Sequence, residues 1–171
     1  MRNAIRFRRP TISDGPAVTA LIAASPPLEV NSAYCNLLQC SDFADTCIVA
    51  ERNDAIAGWV SGYRLPAAPD ALFVWQVAVS PDARGLGLGG RMLDALVERH
   101  ADVRRLTTTI TAGNRASWAL FEGFARRHGA VLERSLRFDA NTHFNGAHEG
   151  EWQAAIAPLN APALSTDRQE K

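Results

Sequence analysis

The sequence predicts a single domain of mixed α/β (α+β) class, and three observations carry that expectation. Segments of strand and helix character alternate in the order βαα-βββ-α-β-α-ββ. One segment, residues 72–79 (LFVWQVAV), is apolar on both faces, as a central strand must be. Behind it a glycine-rich loop runs straight into an amphipathic helix. A length of 171 residues fits one domain, and 47% apolar residues are enough for a core.

Ile5–Arg8 has strand character and opens the domain. Thr11-Ile12-Ser13-Asp14-Gly15-Pro16 starts a helix: Ser13 or Asp14 caps it, and Pro16 stands in the first turn, where its missing N–H costs nothing. Val18, Leu21 and Ile22 give that helix its apolar stripe, and Ser25-Pro26-Pro27 stops it. A second helix covers about residues 32–40. Residues 46–51 (TCIVAE) and 56–63 (IAGWVSGY) are strands joined through Arg52-Asn53-Asp54 as a hairpin. Pro66-Ala67-Ala68-Pro69-Asp70 reads as a loop before the central strand. After the glycine loop come a helix from about Leu88 to His100 and a β-branched strand, Arg105–Thr111 (RLTTTIT). A helix from Asn114 to about His128, the strand Val131–Phe138, a polar loop and a strand near residues 151–156 complete the domain. The domain is expected over residues 1–158, with 159–171 a patternless, disordered tail.

Charge excludes some functions. Lys plus Arg and Asp plus Glu are 18 each, so nucleic acid is not an expected partner. Arg2, Arg6, Arg8 and Arg9 crowd the start and read as solvated flanks of the first strand. No apolar run approaches the roughly 20 residues of a membrane span. The N-terminal stretch MRNAIRFRRPTISD has charge but no apolar core of a signal peptide. The expectation is a cytoplasmic protein with no membrane partner. Cys35, Cys40 and Cys47 lack paired metal-ligand spacing, so no metal is expected and the thiols read as reduced and mostly buried.

The stretch that carries chemistry is VWQVAVSPDARGLGLGGRMLDALVERH, residues 74–100. Gly85, Gly87, Gly89 and Gly90 lie between a buried strand and a helix. Glycines there let main-chain N–H groups point inward and a ligand approach closely. The helix N-terminus adds free N–H groups and a positive dipole end. Together they suit a pyrophosphate, and Arg84 stands where a guanidinium meets phosphate oxygens. The run also contains G-x-G-x-x-G, but a dinucleotide-binding loop follows its strand at once within an opening βαβ unit. Here SPDAR intervenes, three strands precede, and the strand at 105–111 ends without an acid for a ribose. A purely structural turn is the other reading. No Gly-Lys-Ser/Thr is present for a P-loop.

Arg84-Gly85-Leu86-Gly87-Leu88-Gly89 resembles the R/Q-x-x-G-x-G/A signature of GNAT acetyltransferases, and Asn114 to Phe121 (NRASWALF) is similar to their later element N-x-x-A/S-x-x-L-Y. The resemblance covers roughly residues 4–157. It implies a sheet splayed between strands 72–79 and 105–111, with helices on both faces and acetyl-CoA in the gap. By the same resemblance, Val77 and Val79 would bond the pantetheine through their main chains. Arg84, Gly85, Leu86, Gly87, Leu88 and Gly89 would hold the pyrophosphate on their amides, and Asn114 would touch the pantetheine arm. Many members carry a Tyr, which protonates the leaving thiolate, where this chain has Phe121. The Gly-Phe that often follows is Ala125-Arg126 here, so the acid is unassigned.

A closer resemblance is to the diaminobutyrate acetyltransferases of ectoine synthesis. It rests on Asn31 to Leu38 (NSAYCNLL), residues 43–51 (FADTCIVAE), 73–79 (FVWQVAV) and His148-Glu149. The implied reaction moves acetyl from acetyl-CoA to the 4-amino group of L-2,4-diaminobutyrate, in an enzyme whose relatives are often homodimers. Such a pocket needs acceptors for two ammonium groups and donors for one carboxylate. Asn31, Tyr34, Trp75, Gln76 and His143 are the substrate-binding candidates. The amine, of pKa roughly 10, must lose a proton before attack, and Glu149 and His148 are the candidate bases. A main-chain N–H near Val77 would hold the oxyanion. Two rival readings are a GNAT enzyme for another amine, such as a peptide N-terminus or polyamine, and a non-catalytic acyl-CoA sensor suggested by Phe121.

Overall fold

Chain segments with period-two apolar alternation become the strands of a single seven-stranded sheet in the computed structural model, which describes residues 4–160. The strands are β1 (Ile5–Arg8), β2 (Ile48–Arg52), β3 (Ala55–Leu65), β4 (Ala68–Val79), β5 (Arg105–Thr111), β6 (Val131–Phe138) and β7 (Glu151–Ala157). The helices are α1 (Gly15–Ala23), α2 (Ala33–Cys40), α3 (Leu88–Arg99) and α4 (Arg115–Arg127). Strand order is β1-β2-β3-β4-β5-β7-β6, and β4–β5 is the parallel pair. Its crossover runs through the glycine loop and α3, as a parallel connection requires.

Alternation splits the apolar residues between two faces. Ile48, Ala50 and Val60 pack with Leu88, Met92, Leu93 and Leu96 of α3 and with Phe121 and Phe124 of α4. Cys47, Val49 and Trp59 face the other way, onto Val18, Leu21 and Ile22 of α1 and Cys40 of α2. The expected helices on both faces are therefore present. Each fully buried Leu contributes roughly 1.5–3 kcal/mol of transfer free energy. Burial pushes the thiols of Cys40 and Cys47 up to about 11 and about 12, so neither ionises near neutral pH.

Four local expectations change. The loop expected at Pro66–Asp70 shrinks to a turn at Pro66-Ala67, because β4 already begins at Ala68 and the Pro69 carbonyl accepts from Arg64 at 2.8 Å. Asp14 stands at the start of α1 but does not cap it with its side chain. Its carboxylate accepts from both terminal guanidinium nitrogens of Arg8, at 2.8 and 2.9 Å, and from the Thr11 N–H at 2.7 Å. The arginines at the start are paired rather than freely solvated: Arg6 and Arg8 with Glu51, Arg9 with Asp45. Arg2 lies outside the described residues. Of the tail, Leu159 is 1% exposed and joins the core, and its N–H donates to the Arg104 carbonyl. Residues 161–171 lie outside the described residues.

Candidate active site

β4 pairs with β5 only at Ala71–Arg105, Leu72–Leu106 and Phe73–Thr107. Beyond that point the two strands diverge. On the other side β4 stays paired with β3 as far as Val79–Gly58. The Ser80 N–H donates to the Ala57 carbonyl at 2.9 Å, which fixes the phase of that antiparallel ladder. Counting back by two, Ala78 and Gln76 turn their main-chain groups to β3. Val77 and Val79 then face the gap, where no strand pairs with them. Main-chain groups in such a place need a partner. β4 is also bulged here, with Trp75 the extra residue between the pairs Ser61–Gln76 and Gly62–Val74.

The glycine loop closes one end of the gap. Gly85 has φ +79° and Gly87 φ +64°, and a Cβ built on either would meet nothing within 4 Å. Backbone conformation, not lack of room, calls for glycine at these two positions. The other pair serves packing. A Cβ on Gly89 would lie 3.3 Å from Leu120 of α4, and one on Gly90 would lie 2.9 Å from the Arg127 guanidinium. Gly87 precedes α3, so the N–H groups of Leu88, Gly89 and Gly90 are free of helical partners. Leu86 is exposed, whereas the Leu88 side chain is core. Arg84 is exposed and makes no ion pair among the described residues.

Between β4, β5 and the start of α4 lies a cavity of about 700 Å³. Val77, Asn114, Ser117 and Phe121 line it towards α4. The Asn114 side-chain Oδ1 caps α4, accepting from the Ser117 N–H at 3.1 Å. Unpaired β4 main chain, loop amides and an open cavity match what a pantetheine arm and a pyrophosphate demand.

The far end of the cavity is acidic. Glu29, Glu149 and Glu151 line it, with Trp75, Gln76 and His148. Gln76 is buried; its amide accepts from Asn31 at 2.7 Å and donates to the Glu29 carbonyl at 2.7 Å. Asn31 and Gln76 therefore tie the loop before α2 to β4. His148 Nδ1–H donates to the Glu149 carbonyl at 2.6 Å, while Nε2 is 3.0 Å from Glu29 and 4.0 Å from Glu151. With an acceptor on each ring nitrogen the imidazolium form is favoured. The Glu149 carbonyl is the main cause of the raised pKa, opposed by burial and helped by Glu29 and Glu151. The Glu151 carboxyl is also raised; burial is the chief cause, and the charge of His148 opposes it.

Of the residues singled out in the sequence, Val77, Asn114, Trp75, Gln76, His148 and Glu149 line this cavity. Asn31 stands behind Gln76. Tyr34 is 70% exposed in the first turn of α2 and does not line the cavity. His143 accepts from the Asp139 N–H at 2.8 Å and packs edge-on against Phe138, so it closes the β6–β7 loop outside the cavity. Glu151 and Glu29 were not singled out. Glu151 reads as the charged flank of a strand; its spacing of three from His148 was the available signal. Among the described residues, no group of three His, Cys, Asp or Glu is placed to hold a metal ion.

The family model of acetyltransferases (GNAT) matches residues 17–125. The L-2,4-diaminobutyric acid acetyltransferase of Methylotuvimicrobium alcaliphilum is 47% identical over 159 residues, 92% of each chain. That of Vibrio parahaemolyticus is 49% identical over 148 residues, covering 85% of this chain and 82% of that protein. The diaminobutyrate acetyltransferase EctA from Paenibacillus lautus, solved with L-2,4-diaminobutyric acid and coenzyme A, superposes with a TM-score of 0.86 at 36% identity. The match covers 91% of this chain and 96% of that one. The chain thus belongs to the GNAT acetyltransferase family and, within it, to the family of L-2,4-diaminobutyric acid acetyltransferases.

Proposed function

We propose that the protein transfers the acetyl group of acetyl-CoA to the 4-amino group of L-2,4-diaminobutyrate, giving N4-acetyl-L-2,4-diaminobutyrate by direct attack in a ternary complex. One observation carries the reading: the cavity that begins at the unpaired main chain of β4 ends among three carboxylates. Two ammonium groups suit that end, and the names of relatives at 42–49% identity support the same amine.

We assign Glu151 as the base. It lines the cavity and burial raises its carboxyl, which helps a base hold an amine proton; it takes the place of Glu149 and His148, the bases the sequence offered. Glu149 and Glu29 are the acceptors for the 2-ammonium group. The His148 imidazolium, with both nitrogens donating, positions Glu29 and offers positive charge to the substrate carboxylate. Trp75 walls the reacting end, and Asn31 with Gln76 holds the Glu29 loop in place. The neutral amine nitrogen attacks the thioester carbonyl carbon, and the Val77 N–H donates to the oxyanion. Glu151 first takes one proton from the ammonium and hands it to solvent; on attack the C–N bond forms, the C–S bond breaks, the thiolate leaves with the electron pair, and the second nitrogen proton passes to the freed Glu151 carboxylate. Gly85, Gly87 and the amides of Leu88 and Gly89 hold the pyrophosphate, with Arg84 at its flank.

The experiment is product NMR with diaminobutyrate, a plain diamine and diaminopropionate at equal concentration. Anchoring of the carboxylate and 2-ammonium leaves only N4 within a near-attack distance of about 3–3.5 Å. The expected result is N4 product from diaminobutyrate and slow turnover of the others. Mainly N2 product, or preference for the plain diamine, overturns the substrate assignment.

We further propose a cytoplasmic homodimer that works in ectoine synthesis and so in osmoprotection. The free thiols of Cys40 and Cys47 suit a reducing compartment. Leu136, Phe138 and Trp152 form an exposed apolar margin on β6 and β7 that a second copy would cover. Sedimentation showing only monomer at micromolar concentration would remove the dimer.

A further inference from the structure

The fork between β4 and β5 has a specific fastening. The ladder ends at Phe73–Thr107, and the next carbonyl, Val74, accepts a hydrogen bond from the Thr108 hydroxyl at 2.9 Å. Val74 is 1% exposed and Thr108 3%, and both line the cavity. The β4 bulge at Trp75 follows immediately, and Val77 lies three residues beyond the fastened carbonyl.

We infer that Thr108 is a positioning residue: its hydroxyl satisfies the Val74 carbonyl where the ladder stops, and so holds the fork at the width the thioester end of acetyl-CoA requires. The inference rests on the acetyl-CoA reading above. Without the hydroxyl the Val74 carbonyl would be buried and unpaired, and such a group finds another partner. A β5 main-chain N–H would zip the fork one step further closed, and water would pry it wider. Either outcome displaces the bulge and the Val77 N–H relative to the reacting carbonyl.

The neighbouring residue is a built-in control. Thr107 is 1% exposed on the same strand, points to the opposite face, and has a buried hydroxyl with no partner among the described residues. Its replacement by Val removes a hydroxyl of equal burial that fastens nothing.

The test measures coenzyme A affinity by calorimetry, acetyl-CoA KM, kcat and thermal midpoint for the wild type, Thr108→Val, Thr108→Ser and Thr107→Val. Thr108→Val should raise Kd and KM about tenfold, the equivalent of one buried hydrogen bond. Thr108→Ser should stay within roughly threefold of wild type, and Thr107→Val should leave Kd and KM unchanged. Should Thr108→Val fail to fold, Thr108→Cys, a weak donor, replaces it with an intermediate shift expected. A Val or Cys variant with a lower midpoint but wild-type Kd and KM overturns the inference, as does a Ser variant that fails to restore them. A wild-type protein that binds no coenzyme A overturns the reading of the whole site, an outcome distinct from any pattern among the variants.

Discussion

Replacing Glu151 by Gln keeps the volume of the side chain and removes one carboxylate from the cavity, 4.0 Å from His148. The size of the effect follows from the proton the amine must lose. With a lysine-like pKa of about 10.4, roughly 0.4% of the 4-amino group is neutral at pH 8. A base-free site works on that fraction alone, so kcat should fall at least about 100-fold at pH 8, and up to roughly 10⁴-fold if proton transfer is concerted with attack. The wild-type rate should rise with pH through a carboxyl raised above its ordinary value by burial, because Glu151 acts only when ionised. In the Gln variant that limb should vanish. The rate should then climb with the amine's own ionisation, so the deficit shrinks as pH approaches 10. The assay is thiol release under saturating acetyl-CoA across pH 4–10, with Glu149→Gln in parallel. A Glu151→Gln enzyme within threefold of wild type at pH 8, or a deficit that does not vary with pH, refutes Glu151 as the base.

Three further outcomes are expected. Gly87→Val places a β-branched residue at φ +64°, at about 1–2 kcal/mol of strain, with its side chain in the open space before the loop amides; coenzyme A affinity should fall more than tenfold by calorimetry while the fold survives. Unchanged affinity would remove the pyrophosphate from this loop. Phe121→Leu, at a core position 2% exposed, should cost roughly 1–2 kcal/mol in denaturant unfolding and leave kcat within about threefold; lost turnover with intact binding of both substrates would contradict it. The Arg8 guanidinium holds the Asp14 carboxyl at about 2, below its ordinary 3.8, so the folded state gains stability above the unfolded pKa and loses it as pH falls through the folded one. Asp14→Asn should therefore cost about 2 kcal/mol at pH 7 and almost nothing near pH 2, and equal costs at both pH values would refute the linkage.

Local patterns made the fold legible. Residues 72–79 announce a central strand because both faces are apolar, and the helices because their apolar residues recur at helical spacing. The glycine loop was legible because positive φ at Gly85 and Gly87 leaves glycine little substitute. What escaped the sequence depends on distant residues meeting. Glu29 and His148 are 119 positions apart, and no local signal joins them. Glu151 lines the cavity and is raised by burial, whereas in the sequence a Glu at the start of a strand looks like a solvated flank. The Asp14 carboxylate turned to Arg8 instead of capping α1, because a bidentate ion pair outcompetes one cap bond.

Phe121 then has a consistent place in the chemistry. A thiol ionises near 8.5 and an alkylammonium near 10.4, so at pH about 8 the two ends of the reaction make unequal proton demands. The departing sulfur is tolerable as a thiolate and needs no acid. The amine, by contrast, is almost wholly protonated and cannot attack until a base acts. The cavity mirrors that inequality. Where it meets the middle of α4 it offers Phe121, a buried hydrocarbon ring that is part of the core. At its acidic end, the amine end on the reading proposed above, it gathers Glu29, Glu149, Glu151 and His148. The carboxylates and the imidazole thus gather at one end of the cavity, and on the reading proposed above a phenylalanine at this place on α4 favours turnover without a general acid over a site that has lost its chemistry.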